Sequence, residues 1–98
     1  MKHRSRYDII AEIIRTLNYR GGLRISKLAL EVNLPIDRAK RIMDQLIEAE
    51  LVEYHNSHRS YKATFKGLEW LLIYNRLVRE LQPIGPVELK VKSNLGRI

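Results

Sequence analysis

Apolar residues recur every three or four positions up to about residue 50 and every second position from Leu51. That switch of period limits the fold more than any other feature of the chain. Before it lie three helical runs. "SRYDIIAEIIRTLNYRGG" begins with Ser5 as an N-cap and Asp8 three residues on, a capping-box spacing with Asp in place of the usual Glu or Gln. Ile9, Ile10, Ile13, Ile14 and Leu17 keep helical spacing, and Gly21-Gly22 ends the run in the left-handed geometry that glycine tolerates. "LRI" permits one short strand. Ser26 is expected to cap a second short helix through Leu28, Ala29 and Val32, which Asn33 breaks. Pro35 fits a first turn, where a missing N–H is tolerated, so a third helix is predicted from about Pro35 to Ala49. Its apolar face carries Ile36, Ala39, Ile42, Met43, Leu46 and Ile47.

After the switch, "LVEYHNSHRSYKAT" reads as a hairpin with Val52, Tyr54, Tyr61 and Ala63 inward, Glu53 and Lys62 outward, and a polar tip over 56–60. Thr64 can cap a last helix that starts at Phe65. That helix is apolar on more than one side: Phe65, Leu68, Leu71 and Leu72 form a stripe expected to face the domain core. Trp70, Tyr74, Leu77, Leu81 and Ile84 form a second, with spacings of four, three, four and three, the rhythm of a helix packed against another. Pro83, Gly85 and Pro86 end the helix. Beyond them Val87, Leu89 and Val91 alternate with Glu88, Lys90 and Lys92, a pattern open to a short strand or to a disordered basic tail.

Three helices followed by a hairpin is the element order of a winged helix-turn-helix, so the predicted fold class is α+β, mainly helical, with a C-terminal dimerisation helix. The expected divisions are a core with a basic N-terminal arm over 1–64, a dimerisation helix over 65–82, and a Pro/Gly-containing basic tail over 83–98. With 98 residues the chain makes one small domain, for which dimerisation is a natural way to add core. Zero cysteines exclude a disulfide framework and a thiolate zinc site and fit a reducing interior. No apolar run is long enough to span a bilayer, and "MKHRSRYD" lacks an apolar signal region behind its basic residues. The expected location is therefore cytoplasmic.

A formal charge of +7 suits a polyanionic partner. The surplus gathers at the ends: residues 1–20 carry five basic and two acidic side chains, whereas 21–50 balance at five and five. On the third helix, the apolar stripe lies opposite Arg41, with Asp37, Gln45 and Glu48 beside it and Arg38 on one flank. Arg38, Arg41 and Gln45 can make paired hydrogen bonds to base edges, and Lys40 suits a phosphate. Glu48 and Glu50 lie at the far end, away from such a contact. His58 and Arg59 on the wing, with Lys2, Arg4 and Arg6 on the arm, are expected on backbone or minor groove.

The segments "KHRSRYDIIAEII", "LIEAELVEY" and above all "YKATFKGLEWLLIYNRL" resemble a family of small archaeal winged helix-turn-helix proteins. The resemblance covers residues 2 to about 82 and is most specific around Tyr61, Thr64, Lys66 and Gly67. That family includes the roughly ten-kilodalton archaeal DNA-binding proteins and many predicted transcriptional regulators. The resemblance implies a homodimer on double-stranded DNA, its protomers joined through their last helices in an antiparallel coiled coil. This chain departs from the pattern in a last helix cut short by Pro83.

No catalytic grouping is legible: there is no Gly-rich phosphate loop, no H-E-x-x-H and no nucleophile with a base at fixed spacing. His55 and His58 do not share a helix face, so no metal or cofactor is expected. The reading is a non-enzymatic, sequence-specific regulator that binds duplex DNA as a homodimer through Arg38, Lys40, Arg41, Gln45, His58, Arg59, Lys2, Arg4 and Arg6. Trp70, Tyr74, Leu77 and Leu81 are the expected dimer contact. A non-specific architectural DNA-binding protein and a winged-helix protein-interaction module are the alternatives.

Overall fold

The computed structural model describes residues 4–81. Helix α1, Arg6–Arg20, opens on the expected capping box: the Asp8 N–H donates to Ser5 Oγ at 3.1 Å and the Ser5 N–H returns a bond to the Asp8 carboxylate at 3.1 Å. It closes at Gly21, whose φ of 75° lets its N–H reach the Leu17 carbonyl at 3.0 Å. Ile9, Ile10, Ile13, Ile14 and Leu17 are all buried, which makes α1 the centre of the core.

Helix α2 spans Ile25–Glu31, and here the expected cap is corrected. Arg24, not Ser26, holds the N-cap position, and no side chain bonds there. The cause is tertiary: Leu23 exchanges backbone hydrogen bonds with Tyr61 at 3.0 and 2.7 Å, so the chain is still extended at Arg24 and already helical by Ser26. The short strand expected in "LRI" is this single bridge. Leu28, Ala29 and Val32 are buried as the spacing predicts. Asn33, at φ 58°, turns the chain into α3, Ile36–Glu48, with Pro35 as its extended N-cap. Ala39, Met43 and Leu46 are buried and Ile42 half-buried, but Ile36 and Ile47 are exposed, because the packed stripe loses its neighbours at both ends of the helix.

Strands β1, Val52–His55, and β2, Ser60–Ala63, pair antiparallel with Val52 opposite Ala63 and Tyr54 opposite Tyr61. Val52 is buried, but Tyr54 is exposed rather than inward, since the hairpin has by then run past the core edge. It keeps one partner, the Tyr61 ring, at a centroid distance of 4.8 Å.

Helix α4, Phe65–Leu81, is seated by three of the four residues at which the resemblance is most specific. Thr64 Oγ1 accepts from the Gly67 N–H at 2.9 Å and donates to the Glu50 carbonyl at 2.7 Å, while Lys66 Nζ donates to the Ala49 carbonyl at 3.0 Å. A side chain at Gly67 would overlap the Leu51 carbonyl. Thr64, Lys66 and Gly67 thus clamp the start of α4 onto consecutive carbonyls at the end of α3. That seat turns Gly67, Leu71 and Tyr74, spaced i, i+4, i+7, toward the core. The expected core stripe is corrected accordingly: Leu71 is buried and Leu68 half-buried, but Phe65 is 78% and Leu72 68% exposed. Trp70 and Tyr74, expected to face a partner only, pack partly against the core and stack on each other at 5.6 Å.

The molecule is a mainly helical α+β winged helix with a C-terminal helix. Ile84 and the strand or tail expected over 83–98 lie outside the described residues.

Candidate nucleic-acid interface

The outer edge of α3 is flanked by two hollows. On the α1 side, Arg38, Arg41 and Gln45 line a depression of about 240 Å³ together with Arg6, Ile9 and Ile42. Helical spacing places the first three, because i, i+3 and i+7 lie on one face. Arg6 reaches them from the start of α1 and donates to the Gln45 side-chain carbonyl at 2.7 Å. On the wing side, Lys40 and Arg59 meet across a hollow of about 330 Å³. Its remaining walls are Arg24, Ile25, Ser26, Tyr54 and Tyr61. Each hollow therefore holds three cations, and the α3 ridge stands between them.

Their charge is not spent on acids among the described residues. Among the described residues, the acid-paired Arg and Lys side chains are Arg4 with Glu12, Arg20 with Glu31, Lys66 with Glu50 and Arg76 with Glu80, all off the α3 edge. Among the described residues, Arg24, Arg38, Lys40, Arg41 and Arg59 take part in no ion pair. The α3 acids Asp37 and Asp44 are exposed on the same helix. Burial first, then the Asp44 charge and the neighbouring Tyr54, push the Tyr61 hydroxyl above its ordinary value, so it stays a neutral donor.

Of the sequence-predicted residues, Arg6, Arg38, Arg41 and Gln45 are brought together on one side and Lys40 with Arg59 on the other. His58 stands at the wing tip, its ring 3.1 Å from Ser57 Oγ, and lines neither hollow. Arg59 turns the tip at φ 51°. Arg4 does not join the rim: its guanidinium is bound to Glu12 and to backbone carbonyls. Lys2 lies outside the described residues. Sequence reasoning missed Arg24, Ser26 and Tyr54. A cation directly ahead of the second helix was the available signal for Arg24. Tyr54 was concealed by strand alternation, which assigned it inward.

His55 bonds Glu53 at 2.9 Å, separately from His58, and among the described residues no three His, Asp or Glu side chains gather as a metal site would require. No helix among them is long and apolar enough to cross a membrane.

A second surface lies along α4. Tyr7, Trp70, Ile73, Tyr74, Leu77, Val78 and Leu81, with Ser5, line an apolar groove of about 420 Å³ between the start of α1 and the outer half of α4. The Tyr74 hydroxyl donates to the Asp8 carboxylate at its edge. Leu77 and Leu81 are 54% and 63% exposed, which leaves the outer half of the groove open.

No curated protein matches the chain. A family model described as winged helix-turn-helix matches residues 3–82. This is a domain type associated with DNA binding rather than catalysis, and the match takes in the four described helices and the hairpin. The chain belongs to the winged helix-turn-helix family.

Proposed function

We propose that the protein is a sequence-specific transcriptional regulator that binds duplex DNA as a homodimer. Residues 35–49 enter the major groove, and the 55–60 wing lies on backbone or minor groove. The observation that carries this reading is the set of cations on both sides of α3 that have no acidic partner among the described residues. Arg38, Arg41 and Gln45 offer hydrogen bonds to base edges. Arg24, Lys40 and Arg59 form a seat for the sugar-phosphate backbone beside them. A solvated helix face needs no such bracketing from α1, α2 and the wing.

Dimerisation is supported by the open apolar groove, since a contiguous exposed patch of this kind marks an interaction surface. A two-fold axis through it would bury Leu77 and Leu81 of both copies against the same residues, with Trp70 and Tyr74 forming the groove wall. Two α3 helices would then meet two half-sites.

Selection of bound duplexes from a random pool, followed by a salt titration, tests the reading. Enrichment of a two-fold symmetric site, with affinity falling steeply as salt rises, is the expected result. Salt-sensitive binding without enrichment would assign an architectural role instead. Absence of binding at low salt would leave a protein-interaction module.

A further inference from the structure

Arg4 belongs by composition to a basic arm, yet it is the best-satisfied cation among the described residues. Nη1 donates to the Glu12 carboxylate at 2.6 Å and to the Val32 carbonyl at 2.9 Å, and Nη2 donates to the Asn33 carbonyl at 3.3 Å. The two carbonyls stand at the end of α2, where a helix leaves acceptors without intrahelical donors and where its dipole favours a positive charge.

The segment they belong to decides where α3 stands. Helix α3 packs against α2 and β1, and it has no side-chain cap of its own. Its entry depends on the turn through Asn33, held in the left-handed region by the Asn33 N–H to Leu30 at 3.2 Å and the Leu34 N–H to Ala29 at 2.9 Å. Val32 and Leu34 anchor the turn in the core, while its carbonyls face Arg4.

We infer that Arg4 is a positioning residue: it locks the α2–α3 turn and so fixes the stance of α3, rather than neutralising a phosphate. Its effect on DNA rests on the reading of α3 as the recognition helix. The planar guanidinium spans two neighbouring carbonyls and a carboxylate at once, which a lysine ammonium on a flexible stem does not reproduce. Glu12 holds the fork in place and cancels its charge, so a phosphate would gain little from it.

The test uses full-length wild type, Arg4→Lys and Arg4→Met, each checked for a cooperative urea transition. Amide hydrogen exchange is read at Asn33 and Leu34. Affinity for the duplex enriched from a random pool is measured across a salt series. Both variants should exchange roughly tenfold faster at the turn and no faster at His58 and Arg59 on the wing. Both should bind roughly tenfold more weakly with the wild-type salt slope. If Arg4→Lys restores affinity and Arg4→Met lowers the slope by about one, Arg4 is a phosphate contact and the inference fails. Unchanged exchange at the turn would also overturn it, as would faster exchange with unchanged affinity. A wild-type chain that binds no duplex would refute the DNA reading, while the exchange rates would still decide whether Arg4 holds the turn.

Discussion

A methyl group added at Gly67 would overlap the Leu51 carbonyl oxygen and lie 3.1 Å from the carbonyl carbon, both of them backbone atoms that cannot swing aside. Gly67→Ala would gain about 1 kcal/mol of helix propensity, but forced overlap in a packed contact costs about 1–3 kcal/mol or more. Because the obstacle is backbone, the overlap outweighs the gain. A net loss of about 1–2 kcal/mol is expected in urea denaturation, and equal or greater stability would show that α4 can shift off its seat. Arg41 presents the opposite case. It is exposed and in no ion pair among the described residues, so Arg41→Ala should leave the urea midpoint unchanged while costing about 1–3 kcal/mol in affinity for a preferred site. Titration against the enriched duplex and against a random one separates the two effects, and equal losses on both would make Arg41 a backbone contact.

Among the elements, α1 carries the pH-sensitive join. The hydroxyl of Tyr74 on α4, then the backbone and side chain of Ser5, hold the Asp8 carboxyl below its ordinary value of 3.8. The same bond holds the Tyr74 hydroxyl above its ordinary value. A carboxyl depressed in the folded state stabilises fully above its unfolded value, and the contribution disappears as pH falls through the folded value. The melting temperature of wild type should therefore drop more steeply than that of Tyr74→Phe between about pH 5 and about pH 2. Parallel curves would mean that Ser5 alone holds the carboxylate. The part of α1 that was legible in the sequence is the local part: Ser5 and Asp8 are three residues apart, and the Gly21 cap depends on its own φ. The Tyr74 partnership joins residues 66 apart, and no spacing rule reaches it. The same limit explains α4. Its periodicity is legible, but the side turned inward depends on the close approach of Gly67 to Leu51, so spacing alone points Phe65 and Leu72 to the core. The α3 cations were readable from one helix. Arg24 and Tyr54 joined them only once Leu23 had bridged to Tyr61.

For the whole molecule, the two surfaces are built on different helices: cations flank α3, the apolar groove follows the outer half of α4, and both reach the start of α1, where Arg6 lines the first and Ser5 and Tyr7 line the second. Leu77→Glu together with Leu81→Glu should convert a dimer to a monomer in sedimentation at micromolar concentration while the helical content stays the same. Both side chains are largely exposed, so the fold does not need them. Affinity for a two-fold symmetric duplex should fall by about a hundredfold or more, as bivalent attachment is lost, while affinity for a single half-site stays near wild type. A wild-type chain that sediments as a monomer would remove the dimer from the proposed function. The stacked Trp70 and Tyr74 rings turn that groove into an optical gauge. The chain has one tryptophan, so its fluorescence, excited at the red edge where the five tyrosines do not absorb, reports a single place, the groove wall. Dilution through the dissociation constant of the proposed dimer should move its emission to longer wavelength as water reaches the indole. Assembly can then be followed without a label, and in the presence of DNA.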